Sequence, residues 1–227
     1  MYADGDAIWI GTSGGVLRYD PKKDQEDKPR TFTNKTKGIL SNGIFHLSKV
    51  DGKILAGTYG GGLSVYDEKQ EQWRNINIPH GLADQFVYDV VKAKNGDVWI
   101  ATWSGVNRVR AGRLDDPTAW ETFNVENTQG GLPNPWVYAL KEGKNGDLWF
   151  ATEYGLARYQ NGKWSNWRHD DKQASLGANY EVVKDAIQFT SDPAASSQHH
   201  AQQKIAQGLQ DVKGAWNPNY VISLAVD

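Results

Sequence analysis

Side chains that could do chemistry are few in this sequence, and their spacing limits what each can do. The histidines are His46, His80, His169, His199 and His200, and none stands beside a nucleophile motif or in a metal-ligand pattern. His199 and His200 fall in a helical stretch, where neighbours point about 100° apart, so one metal ion does not readily take both. There is no cysteine, which removes disulfides, thiolate nucleophiles and cysteine-ligated zinc. Arg18, Arg108 and Arg158 recur in register and could clamp an anion, but repetition points to a structural task, pairing with an acid or carbonyl between neighbouring units. Asp4, Asp6, Asp51, Asp97 and Asp147 fall at Asp-Gly or Asn-Gly turns, where aspartate bonds local backbone. No calcium loop is present. Gly14-Gly15 and Gly60-Gly61-Gly62 precede no helix whose amino end could hold a phosphate. The expectation is no catalytic residue, no metal and no cofactor.

What positions these residues is a repeat. GDLWFATEYGLARY at 146–159 returns as GDVWIATWSGVNRV at 96–109, GKILAGTYGGGLSVY at 52–66 and GDAIWIGTSGGVLRY at 5–19. The anchors Trp9, Leu55, Trp99 and Trp149 lie roughly 45–50 residues apart, too close for separate domains and suited to a four-stranded unit. Turns at Asp4-Gly5, Asp51-Gly52, Asn95-Gly96 and Asn145-Gly146 accept the positive φ of tight hairpins. They predict inner strands over 44–50, 87–93 and 137–142, and second strands over 8–12, 54–58, 98–102 and 148–152. Gly15, Gly62, Gly105 and Gly155 allow a sharp turn and close backbone approach before a third strand. A fourth is marked by Phe32, Trp73, Trp120 and Trp164. The fold class is all-β: a β-propeller of four-stranded antiparallel blades.

Composition agrees. The 227 residues carry ten Trp, ten Tyr and 24 Gly, a mix suited to short strands turning around shared cores. A net charge of −2 argues against a nucleic-acid partner. No apolar run reaches the roughly 20 residues that span a bilayer, and Met1-Tyr2-Ala3-Asp4 has no leader character. Neither membrane insertion nor a signal peptide is therefore expected from this chain.

The motif G-L-x4-V followed by D-G-x-[LI]-W-[IF]-[GA]-T-x2-G-[LV]-x-R-[YV] is carried by Gly131-Leu132, Val137, Asn145 to Thr152 and Gly155 to Tyr159. In this the sequence resembles the two-component regulator propeller repeat family, over residues 4 to about 168 and the last eight. Leu55 for Trp and Val65 for Arg are departures in the second copy. The resemblance implies a non-catalytic sensor propeller of a bacterial signalling protein, periplasmic or otherwise outside the cytoplasmic membrane, in rings of about seven blades. The repeats are read as about 4–50, 51–93, 94–143 and 144–168. A degenerate region over 169–214 follows, with an amphipathic helix at Pro193 to Lys213, and then an inner strand within 215–227. Two arrangements follow: Val221 to Val226 pairing with Ile8 to Thr12 in a closed ring, or, as the period favours, a slice of a larger ring whose exposed blade edges could drive oligomers.

Loops that gather around a propeller channel offer Tyr59, Phe86, Trp103, Trp136, Tyr154 and Tyr220, with Asn42, Asp84, Asn134 and Asn219 among them. Flat rings beside amides and carboxylates suit a small molecule such as a carbohydrate, or a protein partner. Two other readings compete. A streptogramin-lyase-like enzyme would use His46 or His80, and a scaffold would dock proteins through the inserted helix.

Overall fold

The computed structural model describes residues 1–22, 28–36, 38–168 and 221–225. They form four antiparallel sheets of four strands, each wound in sequence order. Blade 1 is β1 Tyr2–Asp4, β2 Ala7–Thr12, β3 Gly15–Tyr19 and β4 Arg30–Phe32; blade 2 is β5 Ile44–Val50, β6 Lys53–Thr58, β7 Leu63–Asp67 and β8 Gln72–Ile76. Blade 3 is β9 Val87–Lys92, β10 Val98–Thr102, β11 Gly105–Val109 and β12 Trp120–Phe123; blade 4 is β13 Val137–Glu142, β14 Leu148–Thr152, β15 Gly155–Gln160 and β16 Lys163–Trp167. The inner strands β1, β5, β9 and β13 lie side by side.

Alternation along each second strand makes the cores. Trp9 with Val16 and Phe32 meets Leu47, Ile54 and Tyr66 of blade 2. Leu55 and Leu63 meet Val98, Ile100 and Val109 of blade 3, and Trp99 and Val106 meet Leu140, Leu148 and Phe150 of blade 4. Tyr66, Val109 and Tyr159, which close the third strands, thus pack between blades. Ile8 and Ile10, on the opposite face of β2, are half-buried. Trp149 is half-buried too, packed among the described residues against Trp167 and Leu224.

Two repeated devices hold the second hairpin of each blade. Thr12, Thr58, Thr102 and Thr152 each donate from Oγ1 to the carbonyl of Gly15, Gly62, Gly105 or Gly155, at 2.7–3.0 Å. The same hydroxyls accept from the N–H of Gly14, Gly61, Ser104 and Tyr154. Those four glycines have φ between 76° and 126°. A Cβ on them would stand 2.2–2.5 Å from the carbonyl oxygen of Phe32, Ile76, Phe123 or Trp167. No side chain fits there.

Three expectations are corrected. Only Asp51-Gly52 places both turn residues at positive φ; at Asn95-Gly96 and Asn145-Gly146 the glycine alone does. The bonds Gly96 N–H to Ala93 O and Ala93 N–H to Asp97 O make these three-residue loops, a turn plus a glycine bulge. Phe32 is not the counterpart of the outer tryptophans: it pairs with Val16 as Ile76 pairs with Leu63 and Phe123 with Val106. Of the two arrangements, the closed-ring pairing with β2 is not made among the described residues 221–225, because Tyr2–Asp4 occupies that edge. Val221 instead donates its N–H to Thr152 O at 2.9 Å and is buried against Ala139 and Ala151. Trp149 is not a fully buried anchor, for the reason given above. The expected helix at Pro193 to Lys213 and the degenerate region 169–214 lie outside the described residues.

Candidate binding face

The inner strands bring an aromatic surface to one end of the blades. In β5, β9 and β13 the register slips after the first residue, leaving Phe45, Tyr88 and Tyr138 as the extra residue of a bulge. A bulge re-aims its side chain out of the pleat. Phe45 stacks on Tyr88 at 4.8 Å between ring centroids, and Tyr88 meets Tyr138 edge-on at 5.1 Å. The loop residues join them. Tyr59 stands edge-on to Phe86 at 4.8 Å, Phe86 tilts onto Trp103 at 5.5 Å, and Trp103 onto Trp136 at 4.4 Å. Phe45 closes the series on Tyr59 at 5.6 Å.

Four of the loop aromatics read from sequence belong to this ladder, and Tyr154 stands apart from it. Tyr59, Phe86 and Trp136 are half-buried members of one ladder, while Trp103 is buried beneath it. Tyr154, also half-buried, lies under the guanidinium of Arg168 at 5.5 Å. Tyr220 and Asn219 lie outside the described residues. The polar members serve the loops as well. Asp84 accepts from Phe86 N–H at 2.8 Å and from the Ser104 hydroxyl at 2.6 Å. Asn134 accepts from Trp136 N–H at 2.8 Å and Asn42 from Asn34 N–H at 2.7 Å. Each fixes the backbone that carries an aromatic or its neighbour.

The sequence reading missed Phe45, Tyr88 and Tyr138, although each follows the branched residue that opens an inner strand. It also missed the group beside them. His46 Nδ1 lies 2.8 Å from Asp89 Oδ1, and Asp89 Oδ2 accepts Leu140 N–H at 2.8 Å. One carboxylate thus links blades 2, 3 and 4. Burial pushes the Asp89 carboxyl up, but the His46 imidazole and the Leu140 N–H outweigh it, and the group sits below the usual carboxylate range. His80, by contrast, is exposed and bonded to Asn77 through Nδ1, closing the short 3-10 turn Ile78–His80. Among the described residues no three metal-ligating side chains converge.

The recurrent arginines act within their own blades rather than between them. Arg18 lies over Trp9, Arg108 over Trp99 and Arg158 over Trp149, at 5.4–5.8 Å from the ring centroid. Each is the cross-strand partner of its tryptophan, and in blade 2 the same pair is Leu55 and Val65. The two departures are one exchange. Asp97 is more than a turn residue: buried, it accepts from Arg108 Nε at 2.7 Å and Ala111 N–H at 2.9 Å. Asp4 and Asp51 reach across to Lys49 and Lys92 of the next blade.

Comparison with known proteins bears on this geometry. The two-component regulator propeller family matches residues 81–104 and 131–154, each running from an entering glycine through a second strand. Among solved structures, the extracellular domain of the hybrid two component system BT3049 from B. thetaiotaomicron is 26% identical with a TM-score of 0.63. The match covers 76% of this chain and 23% of that one. The extracellular domain of BT4673 from the same organism is 20% identical with a TM-score of 0.57, over 75% of this chain and 22% of that one. An ancestral GH74 enzyme shares the fold at 15% identity and a TM-score of 0.51, over 76% and 24%. The chain thus spans about a quarter of the length of these structures. No curated protein matches it. No helix among the described residues is long and apolar enough to cross a membrane. With its four-stranded blades and its motif positions in place, the chain carries the two-component regulator propeller repeat at residues 81–104 and 131–154.

Proposed function

We propose that this chain is a non-catalytic binding segment of a sensor propeller in a bacterial signalling protein, working outside the cytoplasmic membrane. The similarity to the extracellular domain of the hybrid two component system BT3049 supports that setting. One observation carries the binding role: a continuous ladder of rings from Phe45 through Tyr59, Phe86 and Trp103 to Trp136, with Phe45 38% exposed. A monomeric surface gains nothing by ordering apolar rings at its open edge, whereas a ligand with a flat apolar face gains contact area and a rigid platform. Serine, asparagine and aspartate side chains beside the rings supply direction. A neutral oligosaccharide or a protein segment is the ligand class.

The test is titration with a panel of neutral oligosaccharides, followed by intrinsic tryptophan fluorescence and calorimetry. Phe45→Ala and Tyr59→Ala should each weaken binding by about tenfold or more, the effect of truncating a central contact, with the fold intact by circular dichroism. Binding that neither substitution alters would place the site elsewhere and overturn the reading.

A further inference from the structure

A second site lies at the other end of blades 2 and 3, by the hairpin turns. There a cleft of about 380 Å³ opens with Val50 and Leu114 as apolar walls, a volume in the lower range of small-molecule sites. Its roof is the connection between β11 and β12, residues 110–119, where blade 4 makes the same connection with Asn161-Gly162 alone. The roof is held in an uncommon conformation. Ala111 has φ 52°, the left-handed region that a side chain seldom adopts, and a Cβ on Gly112, at φ 63°, would stand 3.2 Å from Asp51 Oδ2. Strain of this kind in a surface connection gathers at binding sites.

Two groups in the cleft have unused capacity. Lys53 stands where blades 3 and 4 have Asp97 and Asp147. In blade 3 that aspartate takes Arg108, but in blade 2 the arginine position is Val65. The charge has been reversed and its partner removed, and among the described residues Lys53 makes no ion pair. Arg74 Nη2 is buried in the protein and lies 2.9 Å from Asp115 Oδ1 as a charge contact, yet it makes no hydrogen bond. A buried donor whose nearest carboxylate is poorly aligned has capacity for a second acceptor. The lining charges balance: Lys53, Arg74 and Arg113 against Asp51, Asp115 and Asp116. Asp116 is engaged by Arg113 at 2.9 Å and by Thr118, whereas Asp51, held by Lys92, and Asp115, held by Arg74, are largely exposed and keep oxygen lone pairs for a further donor.

We propose that this cleft binds a small zwitterion of the α-amino-acid class. Its carboxylate meets Arg74 and Lys53, its ammonium meets Asp51 or Asp115, and its side chain lies on Val50 and Leu114. An anion alone would face three carboxylates, and a cation alone three basic groups; a ligand carrying both charges meets both sets. The site shares no residue with the aromatic face, so either can fail without the other.

Calorimetric titration of the full chain with glycine, alanine, valine and leucine tests this, beside 4-methylpentanoate, isopentylamine and inorganic phosphate. The expected result is binding of an amino acid, at least tenfold weaker for both singly charged analogues. Lys53→Met and Arg74→Gln should each cost about tenfold in affinity, equal to ~1.4 kcal/mol, while Lys53→Met leaves the melting temperature unchanged. Absence of amino-acid binding up to about 10 mM overturns the proposal. So does binding that survives Lys53→Met and Arg74→Gln unchanged, or tight binding of phosphate alone.

Discussion

The Trp99–Arg108 pair permits a quantitative test of how the repeat is held together. Trp99 is 1% exposed, and the Arg108 guanidinium sits 5.7 Å from its ring centre. Removing Arg108 forfeits a partly desolvated cation–π contact of about 1 kcal/mol. It also strands Asp97, whose side chain is 7% exposed, without its charge-assisted bond, a loss of about 1.5–3 kcal/mol before allowance for solvent. Arg108 is 24% exposed, so the second figure is discounted, and Arg108→Val should cost about 2–3 kcal/mol in all. Trp99→Leu trades a buried indole for a smaller side chain and should cost about 2–3 kcal/mol. The double variant copies the pair that blade 2 already uses, Leu55 with Val65. Because the cation–π contact is counted in both single changes, the double should fall short of their sum by about 1 kcal/mol. Urea unfolding followed by far-ultraviolet circular dichroism measures all three, avoiding a fluorescence signal that loses a tryptophan. Additivity within about 0.3 kcal/mol would refute the view that ring and guanidinium act as a unit.

Asp97 is also a pH probe. Burial raises its carboxyl, but Ala111 N–H, Arg108 and Asn95 together hold it below the ordinary value. A depressed folded value means stabilisation that is full above about pH 4–5 and lost as pH falls through it. Asp97→Asn should therefore be less stable at neutral pH and lose less on acidification than the parent, read as melting temperature between about pH 5 and 3. Gly105→Ala puts a Cβ 2.2 Å from Phe123 O at φ 111° and should cost at least ~2 kcal/mol. Gly52→Ala, at φ 76° with nothing within 4 Å, should cost only about 1 kcal/mol; equal losses would mean that close approach is not the reason for glycine. Trp149→Ala, at a half-buried ring, should cost about half of the ~3–5 kcal/mol expected for Trp99→Ala. Urea midpoints distinguish the two.

Much of the fold was legible because a propeller blade repeats its constraints. Glycine at 15, 62, 105 and 155 reports a backbone contact that excludes any side chain, and the branched openings Val87 and Val137 mark strands buried between blades. Hairpin geometry was less legible: Asn-Gly occurs both in the two-residue turn at Asn161-Gly162 and in the three-residue loop at Asn95-Gly96, and the dipeptide does not encode the loop length around it. The loop aromatics were found through the topology, since loops after second strands and before inner strands must meet at one end. Phe45, Tyr88 and Tyr138 were missed because a strand read as strictly alternating would send them into the pleat; the bulge that turns them outward is a register slip without a sequence marker of its own. Trp149 misled for a different reason. The motif fixes where a ring points, but its burial depends on what packs against that face.

Repetition itself separates support from recognition in this chain. A residue that recurs with its partner, as Thr102 with Gly105 or Trp99 with Arg108, has its chemistry consumed inside the blade, and each new copy brings the same closed pair. Capacity for a ligand arises where a copy departs from the pattern. Blade 2 does so at Lys53, which has lost the acid of its position and the arginine opposite. Blade 3 does so with the connection that covers it, ten residues long and strained at Ala111. The two irregularities face each other across one cleft. Lys92 has paired with Asp51, whereas Arg74 meets Asp115 at 2.9 Å without a hydrogen bond, and Lys53, on the same wall, makes no ion pair among the described residues. A charged ligand is the economical way to satisfy both, which is why the departures of the second copy, rather than the motif it shares with the others, locate the additional site.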